Sequence, residues 1–452
     1  MRTTTLLAAF VLLVLAAAAG GQGPSPDKAD KKPTGPTVEQ LIEQLGDPDF
    51  RKRDRAADML KAEGLKAVPA MKAALKHPDP EVRRRLVDLI PTVETTALLA
   101  PKRVTLKAKD KPLNEIFAEL SKQTGYQYEF QHNNPNGKFS VDLDNATFWE
   151  AVDQVGKQTG MVLQQGYGDD RVRFYWAGGG GNVGGSPYTC TDGGFRFAAT
   201  GFQMYRHVDL TQPGRGGNTS ESLTLMFTVQ SEPKLPLLGL GEPRLSAAFD
   251  NEKHSMLPPS NPNDGLEFEE RRGRHISRYG NGNRMWYTQS QVYLVRASEK
   301  ATKLAVVRGV LPVTLLAEQK PHVVAEKILE AKGKKATVGT TTLHVEEATA
   351  VPNTNQISVR LTINEDTGGN PNDYSWQNSI YQRIEVQDAK GNKFQLYGTN
   401  WGNSGPNSLQ MTLTYAPMNP NQKPEGDVKL IFQEWKVMQH QLKFEFKDLP
   451  LP

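Results

Sequence analysis

Between residues 102 and 176 the hydrophobic and polar positions spell out one pattern twice. Val104, Leu106 and Ala108 alternate with polar residues, which predicts a half-buried strand. Pro112 then opens a helix whose Leu113, Ile116, Phe117 and Leu120 share one face, and Gly125 stops it. Tyr126, Tyr128 and Phe130 alternate again. Thirty-five residues after the first strand, Phe139, Val141 and Leu143 predict another. Phe148, Ala151, Val152 and Val155 form a second helical stripe that ends at Gly160. Even the helix ends match, Lys122-Gln-Thr-Gly125 against Lys157-Gln-Thr-Gly160. Met161–Leu163 and Arg171–Trp176 supply closing strands, so the order predicted is β-α-β-β-α-β-β.

The period changes on either side. Residues 37–100 are helical, and Leu45-Gly-Asp-Pro-Asp-Phe-Arg-Lys-Arg53 returns 30 residues later as Leu75-Lys-His-Pro-Asp-Pro-Glu-Val-Arg83. From residue 195 onward alternating strands dominate, in two sets with the same order. Each set has a long strand and an Asp-containing turn, Phe249-Asp-Asn-Glu-Lys-His254 in one and Val386-Gln-Asp-Ala-Lys-Gly-Asn392 in the other. A short helix is expected between the sets at Val324–Ala331. The expected fold is multidomain: α-helical repeats, a small α+β central domain and two tandem all-β immunoglobulin-like sandwiches. Boundaries fall at 1–22 (signal peptide), 23–36 (linker), 37–100 (helical repeats), 101–176 (α+β domain), 177–189 (Gly-rich linker), 190–317 (first sandwich) and 318–452 (second sandwich). The antibody disulfide signature is missing, so "immunoglobulin-like" describes architecture alone.

The run Val104–Phe130 with its partner Lys138–Leu163 resembles the secretin and TonB short N-terminal domain. That resemblance covers about 75 residues and implies a periplasmic module for docking and signal relay, with two helices packed on small sheets. No secretin or outer-membrane barrel pattern follows it, so pore formation and siderophore uptake are not implied. Residues 37–95 resemble HEAT-repeat helical hairpins. About two repeats are visible where three or more are normally needed, which implies that they dock on a neighbour.

Composition narrows the function. Formal charge is +4 on 104 charged side chains, 54 basic and 50 acidic, so bulk charge favours neither nucleic acid nor a membrane surface. Hydrophobic content of 37% with 40 Gly and 30 Pro suits several small cores joined by turns rather than one large core. Met1-Arg2 followed by the apolar run Leu6–Ala19 predicts a secretory signal peptide, its core short for the ~20 residues of a spanning helix. No later run is long enough to cross a bilayer. The single Cys190 forms no intrachain disulfide, and its neighbours Tyr188, Thr189, Thr191 and Asp192 do not activate a thiol. The stretch Ala177–Pro187 is Gly-rich but runs into a strand pattern and no Lys, so it reads as a linker and not a phosphate loop.

Catalytic signatures are scarce. The eight His are scattered, with no His-Glu-x-x-His and no Gly-x-Ser-x-Gly. His254 beside Asp250 and Glu252 is the best metal-ligating group, on what reads as a hairpin tip. The expectation is a non-enzymatic scaffold or binding protein, exported to the periplasm or beyond, that acts on protein partners without cofactor, metal or nucleic acid. The alternatives are a component of a secretion or transport complex, and an envelope hydrolase or carbohydrate-binding protein with its site in the sandwich loops. Six residues are candidate contacts. Trp149 lies on the shoulder of its helical stripe, with Gly156 two turns along, which leaves room for the helices before residue 100 or an external partner. Arg53 and Arg84 belong to the basic clusters of the helical segment. Trp376 and Trp401 sit among amides in loop-like stretches suited to carbohydrate or peptide.

Overall fold

The computed structural model describes residues 35–164, 171–177, 186–209, 218–258, 284–296, 298–368, 374–419 and 423–452. The expected signal peptide, residues 23–34 of the first linker and the glycines at 178–181 lie outside them. The chain divides into two compact units, one ending at Glu94 and the other running from Thr95 to Pro452.

The first unit holds α1 (Val38–Gln44), α2 (Phe50–Glu63), α3 (Val68–Ala73) and most of α4 (Pro80–Leu99). Thr37 and Gln40 make a capping box that starts α1, and Asp49 caps α2 through the Arg51 amide. The 30-residue echo has a physical basis in two matching turns. Asp49 and Asp79 accept N–H bonds from Arg51 and Glu81 at 3.0 and 2.8 Å. Arg53 and Arg83 reach back to the carbonyls of Pro48 and Pro78 at 3.1 and 2.8 Å. Leu41, Leu45, Leu60, Met71 and Leu86 close a core of their own.

The helical-repeat expectation needs correcting. Among the described residues seven short α-helices stand against nineteen strands in five sheets, so the protein is mostly β and not a HEAT-like array. The first unit's helices bury their apolar stripes on one another within a single small core.

The second unit begins with the α+β module. Its elements are β1 (Arg103–Pro112), α5 (Leu113–Thr124), β2 (Tyr128–Gln131), β3 (Lys138–Thr147), α6 (Phe148–Thr159), β4 (Met161–Gln164) and β5 (Val172–Trp176). Strands β1 and β3 form one antiparallel pair. In the other sheet β5 lies between β2, which is parallel to it, and β4, which is antiparallel. Both helices end on a glycine in the left-handed region, Gly125 at φ +76° and Gly160 at φ +72°. Phe117, Leu113, Val155 and Phe174 lie in the core between helices and sheets.

The remaining strands are β6 (Thr189–Asp192), β7 (Phe195–Asp209), β8 (Asn218–Ser231), β9 (Leu237–Leu240), β10 (Arg244–Asp250), β11 (Tyr287–Leu294) and β12 (Lys303–Ala325), followed by β13 (Lys335–Val338), β14 (Thr341–Ala350), β15 (Ile357–Glu365), β16 (Ile384–Gln387), β17 (Phe394–Gly405), β18 (Ser408–Pro417) and β19 (Lys429–Pro450). One helix, α7 (Ser375–Ile380), precedes β16. The order β7-β8-β11 in one sheet repeats as β14-β15-β18 in another, and β10 lies on β12 as β16 lies on β19.

The tandem arrangement of two sandwiches also needs correcting. Strand β12 runs through the expected boundary at 317/318 and pairs with β19 from Lys303↔Pro450 to Ala325↔Leu430. The first half of β12 and the second half of β19 serve one core, which holds Leu311, Phe444 and Phe446. The second half of β12 and the first half of β19 serve the other, which holds Val324, Leu430 and Phe432. Each sandwich therefore lends its last strand to the other. Between the cores the strand passes Glu318-Gln-Lys-Pro-His322, a polar stretch that reads as a break in alternation although its backbone stays paired. The expected helix at Val324–Ala331 is the end of β12 and a single tight turn at Ile328–Glu330.

Candidate functional site

Among the described residues, a set of buried polar contacts joins the α+β module to the first sandwich, around the turn between β6 and β7. Thr147 caps α6 with Glu150, which sets the first helical turn and places Trp149 at the edge of the module's core, beside Phe148. Trp149 is 3% exposed. Its indole N–H donates to the Gly194 carbonyl at 3.1 Å, and the Arg196 guanidinium lies 5.8 Å from its ring centroid. Arg196 also pairs with Asp153, one turn along α6, at 2.6 Å. Gly194 donates its own N–H to the Leu99 carbonyl at 2.9 Å and accepts the Glu232 N–H at 2.9 Å. A side chain at Gly193, where φ is +57°, would meet the Leu99 carbonyl oxygen at 2.5 Å, so the turn requires glycine on both counts.

Glu232 completes this junction. Its side chain is fully buried and accepts the Lys102 amide at 3.0 Å and the Tyr126 hydroxyl at 2.7 Å. Burial pushes the carboxyl above its ordinary value, against those hydrogen bonds and the nearby Lys234 and Lys102. Burial likewise raises the Tyr126 hydroxyl, with the Glu232 carboxylate adding to the effect, and raises Tyr128 to about 12. These groups fix one module on another. The element that receives the Trp149 indole is thus the β6–β7 turn, where the sequence suggested the helices before residue 100 or an external partner. Gly156 is buried in the same helix. Gly194, Arg196 and Glu232 were not legible as contacts. The one available signal was the Gly193-Gly194 pair set between an Asp and a strand.

The other candidates do not converge. Arg53 is spent on its turn, and Arg84 pairs with Glu81 through two bonds of 2.9 Å. Trp376 lies on α7 in the core of the second sandwich, its N–H donating to the Pro406 carbonyl at 2.9 Å. Trp401 is on β17, half exposed, with its ring edge-on to Tyr381.

Asp250, Glu252 and His254 bring ligand atoms within 4.8 Å of one another. Asp250 accepts the amides of Glu252 and His254 at 2.9 and 2.8 Å, and His254 Nδ1 lies 3.2 Å from its second oxygen. Asp388 repeats these bonds with Lys390 and Asn392, at 3.0 and 2.9 Å, and Asn392 Nδ2 takes the place of the imidazole. Where the ring is replaced by an amide the turn is unchanged, so these bonds belong to a turn that both sandwiches share. Cys190 is half-buried, and burial pushes its thiol up to about 11, away from a reactive thiolate. No described helix is long and apolar enough to cross a membrane.

No protein-family model matches the chain, and no curated protein matches it. Among solved structures, a conserved domain protein from Bacillus anthracis aligns with 57% of this chain and 89% of its own, at 8% identity and a TM-score of 0.16. A likeness that slight carries no argument about fold or function.

Proposed function

We propose that this is an exported scaffold or binding protein of the bacterial cell envelope, acting through protein–protein contacts. The observation that carries the reading is the junction just described. Trp149, Arg196 and the buried Glu232 hold the α+β module against the double sandwich, so the second unit presents its surfaces in fixed relation. A chain built this way is suited to holding partners in register. The charged start and apolar run at Met1–Ala19 support export, and the periplasm is the compartment proposed.

A second reading places the protein in a secretion or transport complex, docking through the module. Two helices packed on a strand pair and a three-stranded sheet support the resemblance to the secretin and TonB short N-terminal domain. Crosslinking in intact cells followed by capture of the full chain tests both. The expected result is an envelope protein recovered at constant stoichiometry, with crosslinks on residues 101–176 if the second reading holds. Recovery of no partner above a mock capture, or a cytoplasmic location of the chain, refutes the proposal.

A further inference from the structure

The sheet formed by β6, β7, β8 and β11 turns one face to the core; on the other, Tyr205 and Tyr293 are exposed, whereas Arg196, Ala198, Thr224 and Thr228 are buried. Along β8, Leu223, Leu225, Phe227 and Val229 point inward, so Ser222, Thr224, Met226, Thr228 and Gln230 point outward. The pairing register sets Tyr293, Thr224 and Gln203 in one row across three strands, and Gln289, Thr228 and Ala198 in another. From Ala198 to Tyr205, Ser222 to Gln230 and Tyr287 to Tyr293, no outward side chain is charged. Arg196, at one end, is already held by Asp153.

The matching sheet of the second sandwich provides an internal control. Its outward face carries His344 with Glu346 at 2.9 Å and Arg360 with Glu347 at 3.1 Å, as an ordinary solvated sheet does. The first sandwich has replaced such pairs with tyrosine and amide. Tyr205 and Tyr293 are 62% and 58% exposed, whereas Thr224 and Thr228 are 7% and 5% exposed. The face is therefore a shallow trough whose buried threonine floor is flanked by exposed aromatic rings. Two of its amides are tied to their neighbours, Gln291 donating to the Tyr293 hydroxyl at 2.9 Å and Gln289 to Tyr287 at 3.2 Å. Those bonds hold the rings and amides in place before any ligand arrives.

We infer that this face binds a neutral polysaccharide chain. Such a chain offers apolar C–H faces that stack on tyrosine rings, and uncharged hydroxyls that both donate to and accept from side-chain amides. A nucleic acid or an acidic glycan would call for Lys or Arg here. The core of a protein interface would be more apolar, and Met226 is the one outward aliphatic side chain larger than Ala on these rows. The Tyr205 and Tyr293 end of this face is distant along the strands from Arg196 and the module junction, so glycan binding and partner capture succeed or fail independently.

Affinity electrophoresis of the full chain through gels containing dextran, hydroxyethylcellulose or a neutral galactan tests the inference. Retardation by at least one of them is expected. The double variant Tyr205→Ala/Tyr293→Ala should bind roughly tenfold more weakly, as loss of two stacking rings implies. Tyr205→Phe/Tyr293→Phe should keep most of the binding, and Tyr397→Ala, on the second sandwich, should keep all of it. Both tyrosines are exposed, so an unchanged thermal midpoint confirms that the variants fold. Retardation by none of the three, equal retardation of the double alanine variant, or stronger retardation by polygalacturonate overturns the inference. So does a protein crosslinked to Tyr293 when no polysaccharide retards the chain.

Discussion

Glu232 is the residue on which the junction between module and sandwich turns. Its carboxyl meets donors from both sides, the Lys102 amide and the Tyr126 hydroxyl, with Tyr128 and Lys234 as the other titratable neighbours. Burial nevertheless dominates and raises its pKa above the ordinary 4.5. A proton then binds the folded chain more readily than the unfolded one. The stability from this group is fully present below 4.5 and is lost as pH rises through the raised value. Relative to Glu232→Gln, the wild type should therefore lose stability as pH climbs from 4.5 through the raised value, which urea midpoints measured over a pH series would report. A difference that is flat with pH, or that grows in favour of the wild type, refutes this account. Nothing in the sequence around Glu232 marks it, because a lone Glu in Ser-Glu-Pro-Lys reads as a surface turn. The groups that bury it come from residues 102 and 126.

At the scale of elements, the two five-residue turns explain why the sandwiches look alike in sequence. Asp250 and Asp388 are both buried, and burial pushes each carboxyl up while amide and side-chain donors hold it below the usual range. Removing either carboxylate orphans at least two backbone N–H groups. Asp250→Ala and Asp388→Ala should each cost about 2–4 kcal/mol, measured by chemical denaturation. A loss under about 0.5 kcal/mol in either would show that the turn does not depend on its Asp. The elements of the α+β module were readable because each carries its own local signals: alternation in β1 and β3, an apolar stripe in α5 and α6, a glycine stop after each. Helix α7 is not readable, since six residues are too few to show a period, and Trp376 among its amides reads as a loop aromatic although it is part of the core.

On the scale of the whole molecule, the shared strands decide how the sandwiches behave. Because β12 and β19 each run through both cores, neither sandwich is complete without the other. Leu311→Ala in one core and Phe432→Ala in the other should each lower the same calorimetric transition, by about 2–5 kcal/mol apiece, rather than splitting it. Two separate transitions, each shifted by one variant alone, would show that the sandwiches are independent. Likewise a chain cut to 190–317 should show no cooperative unfolding. Sequence by itself determined the local units: the capped helices of the first unit, the doubled strand–helix pattern of the module, the β character after residue 195 and the recurrence of the Asp turn. Each of these is set by near neighbours along the chain through periodicity, capping and turn chemistry. Only the tertiary structure decided that the sandwiches exchange strands, that Trp149 is received by Gly194, and that the uncharged side chains of three strands lie in one trough. Those arrangements depend on register and on partners up to about 150 residues away, and hydrophobic alternation is the same whichever strand lies alongside.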